Sequence, residues 1–265
     1  EVFPSAEGTA LTGERIDVAL AGGRIENVAP AVALTGATIQ TIHAHGAVLA
    51  PGFVDLHVHL REPGQSGKET VASGTRAAVA GGFTAVATMP NTSPVVDNAA
   101  WIEWLYARTE KDGHCQVLPI GAVTGGQMGE QLAEMLAMAK AGAVAFSDDG
   151  RPIMSAEIMR RALEYAKPTG RPIVCHEEDL TLRGHGAMNE GPVATRLGIR
   201  GIPAAAESIL VRRDCDLAEL TGGRVHFAHL SCAGSFDALR DGKRRGLAVT
   251  GETCPHYWML TDEAV

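Results

Sequence analysis

From Phe53 onward, short runs of β-branched and aliphatic residues alternate with longer amphipathic stretches. The runs begin near Phe53, Phe83, Gln116, Ala143, Ile173, Arg224 and Leu247, at intervals of 30, 33, 27, 30, 51 and 23 residues. That spacing fits one strand plus one helix. In the intervening stretches, Leu132, Met135, Leu136 and Ala139 recur at i, i+3, i+4 and i+7, and Trp101, Ile102, Leu105 and Tyr106 share one helical face. Ser155 stands where an N-cap would open the segment carrying Ile158, Met159, Ala162 and Leu163. Seven strands alternating with six helices predict a parallel α/β fold, either a (β/α)8 TIM-type barrel or a doubly wound sheet.

The first fifty residues follow a different pattern. Asp17–Leu20 and Ala21–Ile25 form a hairpin pattern closed by Gly22-Gly23, and further apolar runs follow at Thr38–Ile42 and Ala47–Ala50. This pattern divides the chain into residues 1–50, part of a small β-sandwich module, and residues 51–265, a (β/α) barrel.

Polar residues at the ends of the runs separate the two sheet types. Successive runs end in His57 and His59, Asn91, Asp148 and Asp149, His176, and His229. Chemistry spread over many strand ends suits a barrel, whose active sites gather at the C-terminal face, better than a single crevice. No GxGxxG or Walker loop follows any run. The 215 residues from Pro51 to Val265 fall short of the roughly 250 of a complete barrel. With no initiator Met, the stretch reads as part of a longer polypeptide whose remaining strand, helix and β module lie downstream. Residues 1–265 alone are then expected to pack loosely and turn over little substrate, because an unclosed sheet exposes its edges.

Composition narrows the classes. A hydrophobic fraction of 45% and a mean hydropathy of +0.03 give a real core. A net charge of −8 without a basic stripe argues against nucleic acid, and no apolar stretch reaches membrane-spanning length. Five scattered cysteines without a CxxC pair fit a reducing cytoplasm and no thiolate metal cluster.

The densest chemical signal is Asp55-Leu56-His57-Val58-His59. On a strand, i and i+2 face the same way, so both imidazoles enter one space and suit zinc or a similar divalent ion. His176 and His229 sit at the mouths of later strands. His226 has the opposite parity to His229 and is left out, and His43, His45, His114 and His185 read as solvent-facing. Asp148-Asp149-Gly150 is either an ordinary turn or the source of a carboxylate that bridges two metals. Arg61 falls at the next outward position after His59. Its fork suits a carboxylate, the plain alternative being an ion pair with Glu62 or Glu69. Asn91 offers a further amide donor.

These residues lie in PGFVDLHVHLREPG, GGFTAVATMPNTSPVVDN, AVAFSDDGRPIMS, PIVCHEE, NEGPVATRLGIRGIPAAAES, VHFAHLS and TGETCPHYWMLT. With them the sequence resembles the type I dihydroorotases of the amidohydrolase superfamily over nearly its whole length. The resemblance implies two Zn2+ ions held by His57, His59, His176 and His229 with Asp149 as bridge, and Arg61 and Asn91 on the substrate carboxylate. It implies reversible cyclisation of N-carbamoyl-L-aspartate to L-dihydroorotate, a step of pyrimidine biosynthesis, by attack of a metal-bridged hydroxide on the cyclic amide. The family's general acid/base, an aspartate on an eighth strand, would lie beyond Val265. Two relatives stand as alternatives. Allantoinases and dihydropyrimidinases usually lack the arginine at position 61 and carry a carboxylated lysine on the fourth strand, where this chain has Phe146-Ser147-Asp148-Asp149. Non-catalytic dihydroorotase-like partners of aspartate transcarbamoylase typically lose the metal histidines. A homodimer and an association with aspartate transcarbamoylase are the protein partners the resemblance brings into view.

Overall fold

The computed structural model describes residues 16–32, 40–44 and 47–265. The chain divides into two compact units, Glu1–Phe53 and Val54–Val265. In the first, β1 (Asp17–Ala21) and β2 (Arg24–Ala29) form an antiparallel hairpin with Ala21 opposite Arg24. Gly22 and Gly23 turn it with φ of 56° and 74°, the left-handed pair that a tight hairpin demands and glycine adopts without cost. Of the two later apolar runs, residues 38–39 and His45 lie outside the described residues. Residues 40–44 form no strand, and Leu49 makes an isolated bridge.

The second unit is built on seven parallel strands: β3 (Phe53–Val58), β4 (Phe83–Thr88), β5 (Gln116–Gly121), β6 (Ala145–Ser147), β7 (Ile173–Cys175), β10 (Val225–Phe227) and β11 (Val249–Gly251). Their order in space follows their order in the chain, from β3 at one edge to β11 at the other. A doubly wound sheet reverses its strand order at a switch point; this one never does, so the architecture is that of a (β/α) barrel. The crossovers are α1 (Val71–Ala80), α2 (Ala99–Asp112), α3 (Met135–Ala141) and α4 (Ala156–Ala166), and α8 (Ala233–Arg244) leads into β11. The 51-residue interval between the runs at Ile173 and Arg224 holds more than a helix. It contains α5 (Leu180–Arg183), a parallel pair of two-residue strands β8 (Met188–Asn189) and β9 (Gly201–Ile202), α6 (Pro192–Leu197) and the long α7 (Ala205–Thr221). After β11 comes α9 (Pro255–Met259).

Strand alternation sorts the core into two layers. On β7, Ile173 and Cys175 pack with the helices, joined by Phe146, Phe227, Met138, Met159, Leu163 and Val211. Val174 faces the other way, into a smaller cluster with Ala87, Met89, Ile120, Ala145 and Ala228. Ser155 does cap α4, accepting from the Ile158 N–H at 3.3 Å, and Met159, Ala162 and Leu163 are buried beneath it. The helix predicted from Leu132 begins only at Met135. Backbone bonds from Ala133 to Val123 and from Gly125 to Gln131 hold Leu132 in a bridge opposite Thr124 instead.

Two loops at the C-terminal end of the sheet matter for function, those after β3 and β4. Glu62, only 6% exposed, accepts from the Val71 N–H at 2.8 Å and from Arg108 at 3.2 Å, fastening the first loop to α1 and α2. Gly64 brings that loop against the second, where the Ser93 N–H reaches the Pro63 carbonyl at 3.2 Å. Gly64 has φ 79°, and a Cβ there would lie 1.5 Å from the Ser93 carbonyl oxygen. Gly64→Ala should therefore cost about 1–3 kcal/mol in overpacking, plus about 1–2 kcal/mol for the left-handed backbone. A thermal melt should show a clearly lower Tm; an unchanged Tm would mean that the two loops do not meet as described.

Candidate metal centre

At the C-terminal ends of the strands, four imidazoles surround one carboxylate. The turn that delivers the carboxylate follows β6, where Gly150, with φ 79°, reverses the chain. Ser147 is buried and donates to the Val174 carbonyl at 2.8 Å, and its hydroxyl accepts from the Asp149 N–H at 3.0 Å. The two aspartates part company here. Asp148 turns back into the protein, accepting from the Val123 and Thr124 N–H groups at 2.9 and 3.0 Å and from the Thr124 hydroxyl. Asp149 turns into the mouth.

The His57 Nε2 lies 3.3 Å from Asp149 Oδ1, and the His59 Nε2 lies 3.6 Å from Oδ2. His176 Nδ1 and His229 Nε2 approach Oδ1 at 3.7 and 3.9 Å, and the same two nitrogens are 2.9 Å apart. Ligand atoms of His57, Asp149 and His229 all fall within 4.8 Å of one another. Imidazole nitrogens and a carboxylate oxygen at this spacing are a donor set for zinc or a similar divalent cation. The facing nitrogens of His176 and His229 need either a shared proton or an ion between them.

Electrostatics follow from this packing. Burial opposes a charge on Asp149, yet the close imidazoles of His176, His229 and His57 hold it far below the usual carboxylate range. Burial likewise opposes a charge on His57, but Asp149 and Glu252 outweigh it and raise its pKa to about 9. Burial, with Arg61 and His57 adding to it, keeps His59 below the ordinary imidazole value against the pull of Asp149.

Asn91 is engaged at both ends. Its Oδ1 meets His59 Nδ1 at 3.0 Å, and its Nδ2 donates to Asp149 Oδ2 at 2.9 Å. Arg61 forms no ion pair among the described residues. Glu62 is taken by Arg108, and Glu69 accepts from Thr70 and Ser73.

Strand parity does not carry as far as these residues. β3 ends at Val58 and β10 at Phe227, while Arg61 and His229 have positive φ of 58° and 38°. The backbone has left the pleat before either side chain is placed. His43, His114 and His185 are exposed. His226, set aside on parity, is half-buried and lies 3.3 Å from Glu252 Oε2. Glu252 itself was given no role from sequence, although it ends the seventh run just as the other site residues end theirs. It reaches His57 Nδ1 at 2.8 Å.

A second grouping of Cys175, Glu177 and Asp214 lies buried beside the site. Arg213 occupies both oxygens of Asp214, at 2.6 and 3.1 Å. Burial and the neighbouring Asp214 push Glu177 well above the usual carboxylate range, which leaves a neutral acid rather than an anionic ligand.

Residues 46–235 match the Dihydro-orotase-like family. The chain belongs to that family. It is 58% identical over 226 residues to a dihydroorotase of Anaeromyxobacter sp. (strain K), covering 85% of this chain and 52% of the relative. It is 49% identical over 252 residues to a dihydroorotase of Pelobacter propionicus, covering 95% and 59% respectively. The chain spans about half the length of the curated relatives it matches. Among solved structures, an L-hydantoinase (dihydropyrimidinase) from Arthrobacter aurescens superposes with a TM-score of 0.77 at 20% identity, over 94% of this chain and 56% of that one. A D-hydantoinase superposes at 0.70 and 21% identity. Those likenesses are of fold, and they agree with the barrel architecture of this dihydro-orotase-like chain.

The raised His57 pKa has a definite consequence for stability in chelator-treated protein. Protonated His57 stabilises the fold fully below its unfolded value near 6.5, and that contribution is lost as pH rises through about 9. Denaturant midpoints with EDTA should therefore fall between pH 6.5 and 9 in the wild type and stay flatter in His57→Gln. Equal slopes would show that His57 does not hold its proton against Asp149.

Proposed function

We propose that this barrel is a zinc-dependent dihydroorotase, closing N-carbamoyl-L-aspartate to L-dihydroorotate reversibly for pyrimidine biosynthesis in the cytoplasm. Two zinc ions would be held by His57, His59, Asp149, His176 and His229, with Asp149 as the anionic ligand. The observation that carries this reading is the convergence of the four imidazoles on one buried carboxylate, with Arg61 nearby forming no ion pair among the described residues. Residues 51–265 are assigned the hydrolase, and residues 1–50 belong to a small β-sandwich module. A homodimer and an aspartate transcarbamoylase partner belong to the same reading.

Bound zinc supplies Lewis-acid polarisation of the amide carbonyl and a water made acidic near neutral pH. The protein's own groups set everything around that chemistry. Asp149 contributes the anionic ligand, and three imidazole contacts keep it ionised at any working pH. Asn91 spans His59 and Asp149, fixing one ring and one carboxylate oxygen at once. Arg61 binds the substrate carboxylate through a two-pronged charge-assisted contact, which orients the reacting amide toward the metals. That contact also selects the substrate. Dihydroorotate and carbamoyl aspartate carry a carboxylate there; dihydropyrimidines and allantoin do not, and an unneutralised guanidinium beside two cations repels them both. The unpaired state of Arg61 thus favours dihydroorotase over the related cyclic amidohydrolases.

Arg61→Ala should lower kcat/KM for dihydroorotate by a factor on the order of 10², about 2.7 kcal/mol, with zinc content unchanged. Activity on dihydrouracil, which has no carboxylate, should stay negligible in both proteins. Unaltered kinetics on dihydroorotate, or preferential turnover of dihydrouracil, would refute the assignment.

A further inference from the structure

The first metal-facing histidine is held from behind. His57 Nδ1 lies 2.8 Å from Glu252 Oε1, across 195 residues of sequence. The other oxygen of Glu252 lies at an ion-pair distance of 3.3 Å from His226 Nε2, a buried atom with no hydrogen-bond partner among the described residues. His226 Nδ1 in turn meets the Thr250 hydroxyl at 2.8 Å. One carboxylate therefore stands between an imidazole of β3 and an imidazole of β10. Its backbone is pinned on both sides: the Glu252 N–H donates to Phe227 O at 2.9 Å, and the Glu252 carbonyl accepts from the Leu230 N–H at 2.8 Å. The Thr253 hydroxyl adds a bond to the Leu230 carbonyl at 2.9 Å. These contacts make the end of β11 a rigid platform.

The direction of the chain of bonds follows from chemistry. A carboxylate can only accept, so His57 carries a proton on Nδ1 toward Glu252, and Nε2 is the nitrogen left to give a lone pair to a cation. His226 accepts at Nδ1 from the Thr250 hydroxyl, which leaves its Nε2–H on the side of Glu252 at ion-pair distance. Each group is used once, and the tautomer of His57 is fixed without reference to the metals.

We propose that Glu252 is the positioning residue of the metal centre: it locks the tautomer and ring plane of His57, with His226 and Thr250 steadying it from the inner side of the barrel. This rests on the reading of His57 as a metal ligand. Outer partners of metal-bound histidines raise ligand basicity and fix orientation, and their loss typically costs 10–100-fold in metal affinity.

The test is Zn2+ affinity of the purified protein, measured by competition with a chromophoric chelator, for wild type, Glu252→Ala, Glu252→Asp and Glu252→Gln. Glu252→Ala should bind Zn2+ about 10–100-fold more weakly. Glutamine keeps a carbonyl oxygen at the same reach and should retain most of the affinity. Aspartate keeps the charge but withdraws it by one methylene, so it should fall between alanine and glutamine; it carries the test if Glu252→Ala does not fold. A second readout is the long-range 15N–1H spectrum of His57 in the zinc-loaded proteins. Its Nδ1–H resonance should persist in wild type and Glu252→Gln and vanish in Glu252→Ala, a change that simple loss of packing would not produce. Affinity unchanged in Glu252→Ala, or aspartate matching or exceeding glutamine, overturns the proposal. A wild type that binds no Zn2+ overturns the metal-centre reading itself.

Discussion

A buried carboxylate must be paired, and nearly everything at the mouth of this barrel answers to that requirement. Asp149 is 5% exposed, and its ionised form survives only because nitrogens from three other strand ends and Asn91 from a fourth converge on it. Without a cation, His57 helps to meet this demand by holding protons, Asp149 and Glu252 outweighing its burial and raising its pKa to about 9. A divalent ion would satisfy the same carboxylate while releasing those protons, so metal uptake and proton loss are linked at this site.

The scaffold makes the convergence possible. Seven parallel strands in chain order point all their C-terminal ends to one side, so residues from His57 to Glu252 reach one place despite lying far apart in sequence. The two aspartates of the DDG turn show how finely roles divide there. Asp148 binds the backbone after β5 and serves the loop, whereas Asp149, one residue on, serves the centre. Burial raises the Asp148 pKa against the bonds from Thr124 and Val123 and the charge of Arg151. The contacts of Glu62 and Gly64 play the corresponding part for the loop after β3, leaving Arg61 without a competitor for its fork.

Much of this was legible in the chain, because strand–helix periodicity depends on local hydrophobic alternation. The strand starts fall within two residues of expectation, and the HxH pair announces itself by i, i+2 spacing. What escaped was set by tertiary contacts. Leu132 fits a helical stripe but is claimed by a bridge to Thr124, and the short β8–β9 pair is too brief for any period to show. Parity sets His226 apart from the candidate ligands, and its ring lies instead beside Glu252 and Thr250, a contact that depends on β11 packing against β10. The sequence offers Asn91 as an amide donor for the substrate carboxylate; that its amide also spans His59 and Asp149 is visible only once β4 and β6 flank β5. Glu252 could have been found by applying to the seventh run the rule used for the others, that strand ends carry the chemistry.

The central claim is that Asp149, rather than its neighbour, is the anionic anchor of a metal centre. The most direct measurement is zinc stoichiometry by elemental analysis on purified Asp149→Asn and Asp148→Asn proteins, alongside the wild type. The account predicts that Asp149→Asn loses bound zinc while remaining folded, and that Asp148→Asn keeps zinc but melts at a lower temperature because the Thr124 loop is released. Full zinc in Asp149→Asn together with its loss in Asp148→Asn would contradict it.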